Sequence, residues 1–282
     1  PYGRKGVALH ALSAIDLALW DLAGKAAGKP VYELLGGPVK PDIPVYASAL
    51  HPVGAEKVQA EAKAYVEEGY QAMKMRFPYG PGHGIAGMRA NEEHVANVRD
   101  AVGDDIEIMA DAYMGWDFLY AKKMVKRLEP YRLAWLEEAF LPDDLNSYAK
   151  LRQETSIPIS GGEHEYTRFG FQQIIEKQAM DIIQPDLRRC GGLSEGRRIC
   201  SLALANGITV IPHAYGPTHI HFALAETAIP MIEYFPLPCW DDLPDAEVEP
   251  IFHDEPQPQN GRVTASTKPG LGVTVNERIF AG

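Results

Sequence analysis

Three short apolar runs dominate the middle of the chain, and each closes on an acid. IEIMAD ends at Asp111, LAWLE at Glu137 and IPISGGE at Glu163, and the two intervals are both 26 residues. A βα unit of a parallel barrel takes about thirty residues, because ~250 residues are shared among eight units. Equal spacing therefore predicts three successive strands with an acid at each C-terminal end, the end where barrel enzymes keep their chemistry. Three carboxylates at neighbouring strand tips repel one another unless a divalent cation neutralises them. No thiolate or imidazole stands at these positions, so the donor set is all oxygen. That favours Mg2+ over Zn2+, with Mn2+ as a substitute. A lone strand-end acid is more often solvated or paired with a lysine; three in register, each closing a hydrophobic run, call for the metal.

The rest of the chain alternates in the same way. Residues Val7 to Ala27 are apolar nearly all round at helical spacing, which predicts a buried helix that Gly28 and Pro30 stop. Strands are expected at Ile43 to Ser48, Ala72 to Phe77, Ile106 to Ala112, Leu133 to Ala139, Pro158 to Glu163, Asp181 to Asp186, Thr209 to Ala214 and Met231 to Phe235. Helical patterns lie between them: Ala55 to Glu68, Asn91 to Val102, Phe118 to Leu128, Asp143 to Glu154, Arg168 to Lys177, Leu193 to Ala205 and Thr218 to Thr227. Eight strands alternating with helices predict an α/β fold, a closed (β/α)8-type barrel. A doubly wound open sheet is the rival, but no Gly-rich phosphate loop follows the first strand. The expected divisions are a junction helix and linker over 1–40, the barrel over 41–237 and a C-terminal segment over 238–282. Pro238 to Arg262 reads as irregular, and VTASTKPGLGVTVNE as an edge strand and turn packed outside the barrel.

Charge and cysteine content narrow the partners. With 282 residues, 46% of them hydrophobic, the chain can bury a large core, and its net charge of −11 argues against nucleic acid and anionic membrane surfaces. Cys190, Cys200 and Cys239 are odd in number and lack metal-ligand spacing, so they read as reduced thiols in a cytoplasmic protein. No apolar run is read as approaching the ~20 residues of a membrane span, and no signal peptide is read, although the chain opens at Pro1.

The remaining polar strand residues converge on the same mouth. In AMKMRF, Lys74 and Arg76 share one side of a strand, with Met75 and Phe77 on the other. IIQPD brings Asp186 to one strand tip and VIPH brings His213 to the next, a pairing that fixes an imidazole's tautomer and raises its basicity. Glu233 lies in the last strand, MIEYF. Taken together, Lys-x-Arg, Asp, Glu-Glu, Gly-Glu, Pro-Asp-x-x-x-x-Gly-Gly, His and a last-strand Glu resemble the enolase superfamily, mandelate racemase subgroup. The resemblance spans the chain, from IDLALWDLAGKAAGKPVYELLGG to KPGLGVTVNE. Within the subgroup, YGPGHGIAGMRANEEHV, DAYMGW and GGEHEYTRFGF resemble the acid-sugar dehydratases of the rhamnonate-dehydratase-like branch.

That resemblance implies a modified (β/α)7β barrel in which Asp111, Glu137 and Glu163 bind Mg2+. It implies a catalytic Asp186–His213 dyad assisted by Lys74, with Glu233 donating to the substrate carboxylate and Glu138 standing behind the metal ligands. Arg76, His164 and Tyr113 become substrate contacts, although alternation along a strand would turn His164 away from Glu163. The implied reaction removes the proton α to a carboxylate and eliminates the 3-hydroxyl, giving a 2-keto-3-deoxy acid. Expected partners are a small anionic sugar acid and further copies of the chain, with neither nucleic acid nor membrane. Family members also carry an N-terminal α+β capping domain that largely sets substrate choice, and nearly all of it is missing here. Where racemases of the family place a second lysine, this chain has Arg76, whose guanidinium does not deprotonate. Two-base racemisation or epimerisation is therefore the secondary reading, followed by a non-catalytic metal-binding barrel.

Overall fold

A computed structural model of the chain describes residues 3–236 and 250–280. Cys239 and the first part of the Pro238 to Arg262 stretch fall outside the described residues. Eight parallel strands form the core: β1 Ile43–Ser48, β2 Ala72–Arg76, β3 Glu107–Asp111, β4 Trp135–Glu137, β5 Ile159–Gly161, β6 Ile182–Ile183, β7 Thr209–Val210 and β8 Ile232–Tyr234. They pair in sequence order from β1 to β7, and β8 pairs back onto β1 with Tyr46 opposite Glu233. On the last side the Val210 N–H donates to the Ala228 carbonyl just before β8 at 3.2 Å, so the sheet curls into a barrel. All eight expected strands are present, and several are only two or three residues long.

Strand alternation sorts the side chains into two layers. Met73, Met75, Ile108, Ala110 and Leu136 point outward into the main core against the helices, whereas Tyr46, Ala72, Met109, Trp135 and Ile211 fill the barrel interior. The helices are α3 Ala55–Glu67, α4 Gly84–Val102, α5 Phe118–Leu128, α6 Leu145–Glu154, α7 Thr167–Glu176, α8 Gly192–Ala205 and α9 Pro217–Ala225, preceded by α1 Val7–Ala27 and the single turn α2 Val31–Leu34. Their logic is clearest in α5. Asp117 caps it by accepting the Tyr120 N–H at 2.8 Å, and Lys126 and Arg127 occupy the last turn, where cations suit the helix dipole. Its Tyr120, Ala121, Met124, Val125 and Leu128 form one buried stripe. Full burial stabilises each large apolar side chain by about 1.5–3 kcal/mol, and truncating Met124 to Ala costs about 2–5 kcal/mol.

Four expectations need correction. The helix α1 is not buried: only Leu9, Ser13 and Gly24 are, while Leu12, Ile15, Leu19 and Leu22 are each more than half exposed. Its polar residues explain the docking of one side only. Asp16 accepts the Ser194 N–H at 3.0 Å, Trp20 donates to the Ser194 hydroxyl and Asp21 accepts the Leu271 N–H at 2.8 Å. Gly192 is required beneath Asp16, because its φ is +80° and a Cβ there would meet the carboxylate at 2.2 Å. By length and composition this 21-residue helix would also suffice to cross a membrane, so the expectation of no such run fails. In this fold its docked side faces α8.

The helix α4 begins at Gly84 rather than Asn91. Finally, Val263 does not lie outside the barrel. Arg262–Val263 (β10) pairs antiparallel with the start of β1, while Thr274–Val275 (β11) pairs with Phe252–His253 (β9) apart from it.

Candidate active site

The parallel register sets the first acids side by side. Arg76 is opposite Asp111, and Asp111 is opposite Glu137. Asp111 is 3% exposed, its carboxylate accepts the Tyr113 N–H at 2.7 Å, and the Arg76 Nε lies 3.9 Å away. Burial, then the charge of Glu137, push its carboxyl up to about 7, against the pull of Lys74. Glu137 is held on all sides: Oε2 accepts from Trp135 Nε1 at 2.9 Å and Gln184 Nε2 at 2.8 Å, and Oε1 from Lys74. Glu163 follows β5 in a turn. Its Oε1 accepts from Arg189 Nη1 at 2.9 Å, and its Oε2 is 3.2 Å from His213 Nε2.

Lys74 sits at the centre of the barrel, 1% exposed, between Glu137 and the Glu233 carboxylate at 2.9 Å, with its Nζ 5.6 Å from the Tyr46 ring. Burial alone would lower its pKa, but Glu137 and Glu233 hold it well above the ordinary lysine value, so it is a fixed cation. Glu233 is the other carboxylate partner of Lys74. Burial would raise its pKa, yet Lys74, His213 and the Ala214 N–H at 2.8 Å draw it down to about 2. In this arrangement Glu233 accepts the Ala214 N–H and lies against the Lys74 ammonium.

The dyad forms as expected. His213 Nδ1 lies 2.9 Å from Asp186 Oδ2, and Asp186 Oδ1 accepts the Arg188 N–H at 2.7 Å. Burial opposes ionisation of Asp186, but His213, His219 and Arg188 hold its carboxyl well below the usual range. Burial lowers His213, and Asp186, Glu233 and Glu163 together raise it above the ordinary imidazole value. His164 does not turn away. Strand alternation stops at Gly161, Gly162 adopts φ +118°, and His164 Nδ1 reaches both Glu138 oxygens at 3.0 and 3.1 Å, with Nε2 3.6 Å from Glu163. Tyr113 lies at the mouth with φ +47°; its side chain is mostly exposed and its backbone orients Asp111.

Four contributors lay outside the expected set: Trp135, Gln184, Arg189 and His219. The first two were within reach of the sequence, since each stands two residues before a site acid and so on the same strand face. The last two carry no spacing signal. Cys190 and Cys200 are buried free thiols, and burial pushes both pKa values up, away from nucleophilic reactivity.

The donor chemistry fits a hard divalent cation. Asp111 and Glu137 are paired across the ladder, the first with its pKa raised by the second, and a cation between them removes that cost. Among the described residues Glu138, Glu163 and His164 also bring ligand atoms within 4.8 Å of one another. There His164 Nδ1 is engaged by Glu138, and among the described residues Asp111, Glu137 and Glu163 do not bring their ligand atoms as close together as that group does.

A parallel barrel whose strand tips carry a carboxylate set, a buried lysine and a histidine–aspartate dyad is the class this geometry defines. The family profile described as "Enolase C-terminal domain-like" matches residues 57–279, and that of the "Mandelate racemase / muconate lactonizing enzyme, N-terminal domain" matches residues 3–36. The chain belongs to the enolase superfamily, in its mandelate racemase and muconate lactonizing enzyme branch. It is 39% identical to the L-rhamnonate dehydratase of Saccharopolyspora erythraea, covering 99% of this chain and 69% of that protein. It is likewise 39% identical to the putative L-rhamnonate dehydratase of Caldivirga maquilingensis, covering 99% of this chain and 68% of that protein. The crystal structure of rhamnonate dehydratase from Gibberella zeae complexed with Mg superposes with a TM-score of 0.86 at 38% identity, covering 99% of this chain and 67% of that one.

Proposed function

We propose that the chain is a Mg2+-dependent hydro-lyase that dehydrates a sugar acid of the rhamnonate kind to a 2-keto-3-deoxy acid. The observation that carries this reading is the aim of the His213 ring: Nδ1 is anchored on Asp186 at 2.9 Å, and Nε2 faces the acids, 3.2 Å from Glu163. Relatives named L-rhamnonate dehydratase support the substrate class, and the Mg complex of one of them supports the metal.

Asp111, Glu137 and Glu163 would hold the cation. When bound, it screens the substrate carboxylate and lowers the cost of the negative charge that develops as the α-proton leaves. His213 Nε2 takes that proton from C2 while Asp186 keeps the Nδ1–H in place. The same nitrogen then gives the proton to the 3-hydroxyl, which departs as water. One proton from C2 and one hydroxyl from C3 thus balance one water lost. Arg76, 30% exposed beside Asp111, would meet the substrate carboxylate, with His164 beside Glu163 and Tyr113 beside Asp111 as further substrate contacts. Lys74 stays charged between its two carboxylates and supplies field rather than a second base. This favours elimination over two-base racemisation.

The test is incubation of a library of aldonates and deoxyaldonates with Mg2+ and the protein, followed by detection of keto acid as its semicarbazone. Keto acid should form from at least one deoxy sugar acid and be lost in His213→Asn. A protein that binds Mg2+ and turns over none of them would sink the reading.

A further inference from the structure

His219 is fully buried in the first turn of α9, six residues after His213. Gly216 caps the helix at φ +135°, and Pro217 opens it. The ring's Nδ1 lies 3.3 Å from the Thr218 hydroxyl. Its Nε2 is buried with no hydrogen-bond partner among the described residues, and it faces Asp186 Oδ1 at 3.9 Å. Asp186 uses its other oxygen for His213. Burial pushes the His219 imidazole down to about 3, so at neutral pH it has a single N–H.

Two tautomers are available. A proton on Nδ1 could be donated to the Thr218 hydroxyl, but it would leave the Nε2 lone pair aimed at a carboxylate held ionised, a repulsion that one neutral contact at 3.3 Å does not offset. A proton on Nε2 turns that contact into an attraction and frees Nδ1 to accept from Thr218. The separation of 3.9 Å is too long for a hydrogen bond in the free protein. Catalytic hydrogen bonds are often long in the free enzyme and tighten in the substrate complex.

We propose that His219 is a positioning residue that carries its proton on Nε2 and, by directing it at Asp186 Oδ1, forms with Asp186 and His213 a row that fixes the carboxylate orienting the base. Its kinetic consequence rests on the dehydratase reading above; its geometry does not. The first measurement is therefore independent of turnover: nitrogen-15 NMR of the histidine-labelled wild-type protein with Mg2+ present. His219 should be neutral and protonated on Nε2 throughout the neutral pH range, and a proton on Nδ1 would overturn the proposal.

The second measurement compares His219→Leu with His219→Gln, whose side-chain amide can still donate. The Leu variant should lose about tenfold in kcat with KM changed by less than about twofold, the signature of an interaction made only in the transition state. The Gln variant should recover most of that loss. Equal losses in both, or an effect confined to KM, would contradict positioning through a donated proton. If the Leu variant fails to fold, the wild-type tautomer and the Gln kinetics still decide. If the wild type dehydrates no sugar acid, the function proposed above falls while the tautomer result stands.

Discussion

Withdrawal of divalent metal should destabilise this protein, and by more in mild base than in mild acid. The magnitude follows from Asp111, whose carboxyl is pushed from an ordinary 3.8 up to about 7 by burial and by Glu137 beside it. A folded-state pKa above the unfolded one means that the folded protein binds the extra proton. Acid therefore favours folding, and the benefit drains away as pH rises from about 4 through 7. At 1.36 kcal/mol for each pH unit between the two values, the metal-free cost above pH 7 reaches about 4 kcal/mol, a ceiling because Glu137 shares the proton. At roughly 2–4 °C per kcal/mol for a domain of this size, that is about 10 °C in Tm. Glu233, drawn down to about 2 from an ordinary 4.5, is almost wholly ionised in both states between pH 5.5 and 8 and adds almost no slope there. His164 and His213, both raised, slope in the same direction, so a control is needed. The assay is scanning calorimetry in EDTA and in Mg2+ at pH 5.5 and 8, on the wild type and on Asp111→Asn. The gap between EDTA and Mg2+ should widen with pH in the wild type and shrink in Asp111→Asn. A gap independent of pH, or an undiminished slope in Asp111→Asn, would refute the reasoning.

Other consequences are as direct. Trp135→Phe removes one of the two neutral donors on Glu137 Oε2, and a hydrogen bond to a charged group contributes about 1.5–3 kcal/mol, which denaturant titration should register together with weaker Mg2+ binding by calorimetry. His221 joins α9 to two other segments, accepting the Tyr32 N–H at 3.2 Å on Nδ1 and bonding the Leu271 carbonyl at 3.2 Å through Nε2. His221→Ala strands both buried groups and should cost about 2–4 kcal/mol in urea unfolding, with kcat little changed. If Arg76 serves only as a binding cation, as proposed, Arg76→Lys should raise KM and bring no new stereochemistry of α-proton exchange; racemised substrate recovered from that variant would show that a lysine there becomes a second base.

How far the sequence reached depends on which forces spoke through spacing. The barrel was readable because each strand is an apolar run with period two, and the register pairing of Asp111 with Glu137 is what equal intervals predicted. The Asp186–His213 contact at 2.9 Å was likewise written in adjacent strand tips. Long-range commitments were not. Lys74 reads as a cation facing the mouth, yet its contacts with Glu137 and Glu233 come from strands 63 and 159 residues away, and they hold it buried inside the barrel. His164 stays beside Glu163 although alternation would turn it away, because alternation holds only while the chain stays extended and the turn at Gly162 ends it. The all-round apolar pattern of α1 implied burial, but a pattern names no partner, and the described residues cover only one side of it. Arg189 reaches Glu163 and Asp186 from a loop that has no period at all.

The central claim is that His213 is the one base and that elimination follows proton removal. Reaction of the active sugar acid in D2O with Mg2+, comparing wild type with His213→Asn, tests it most directly. The wild type should form keto acid, and His213→Asn should form none and leave the α-position of recovered substrate free of deuterium. Deuterium entering the α-position at an appreciable rate in His213→Asn would mean that another group takes the proton, and the one-base account would be wrong.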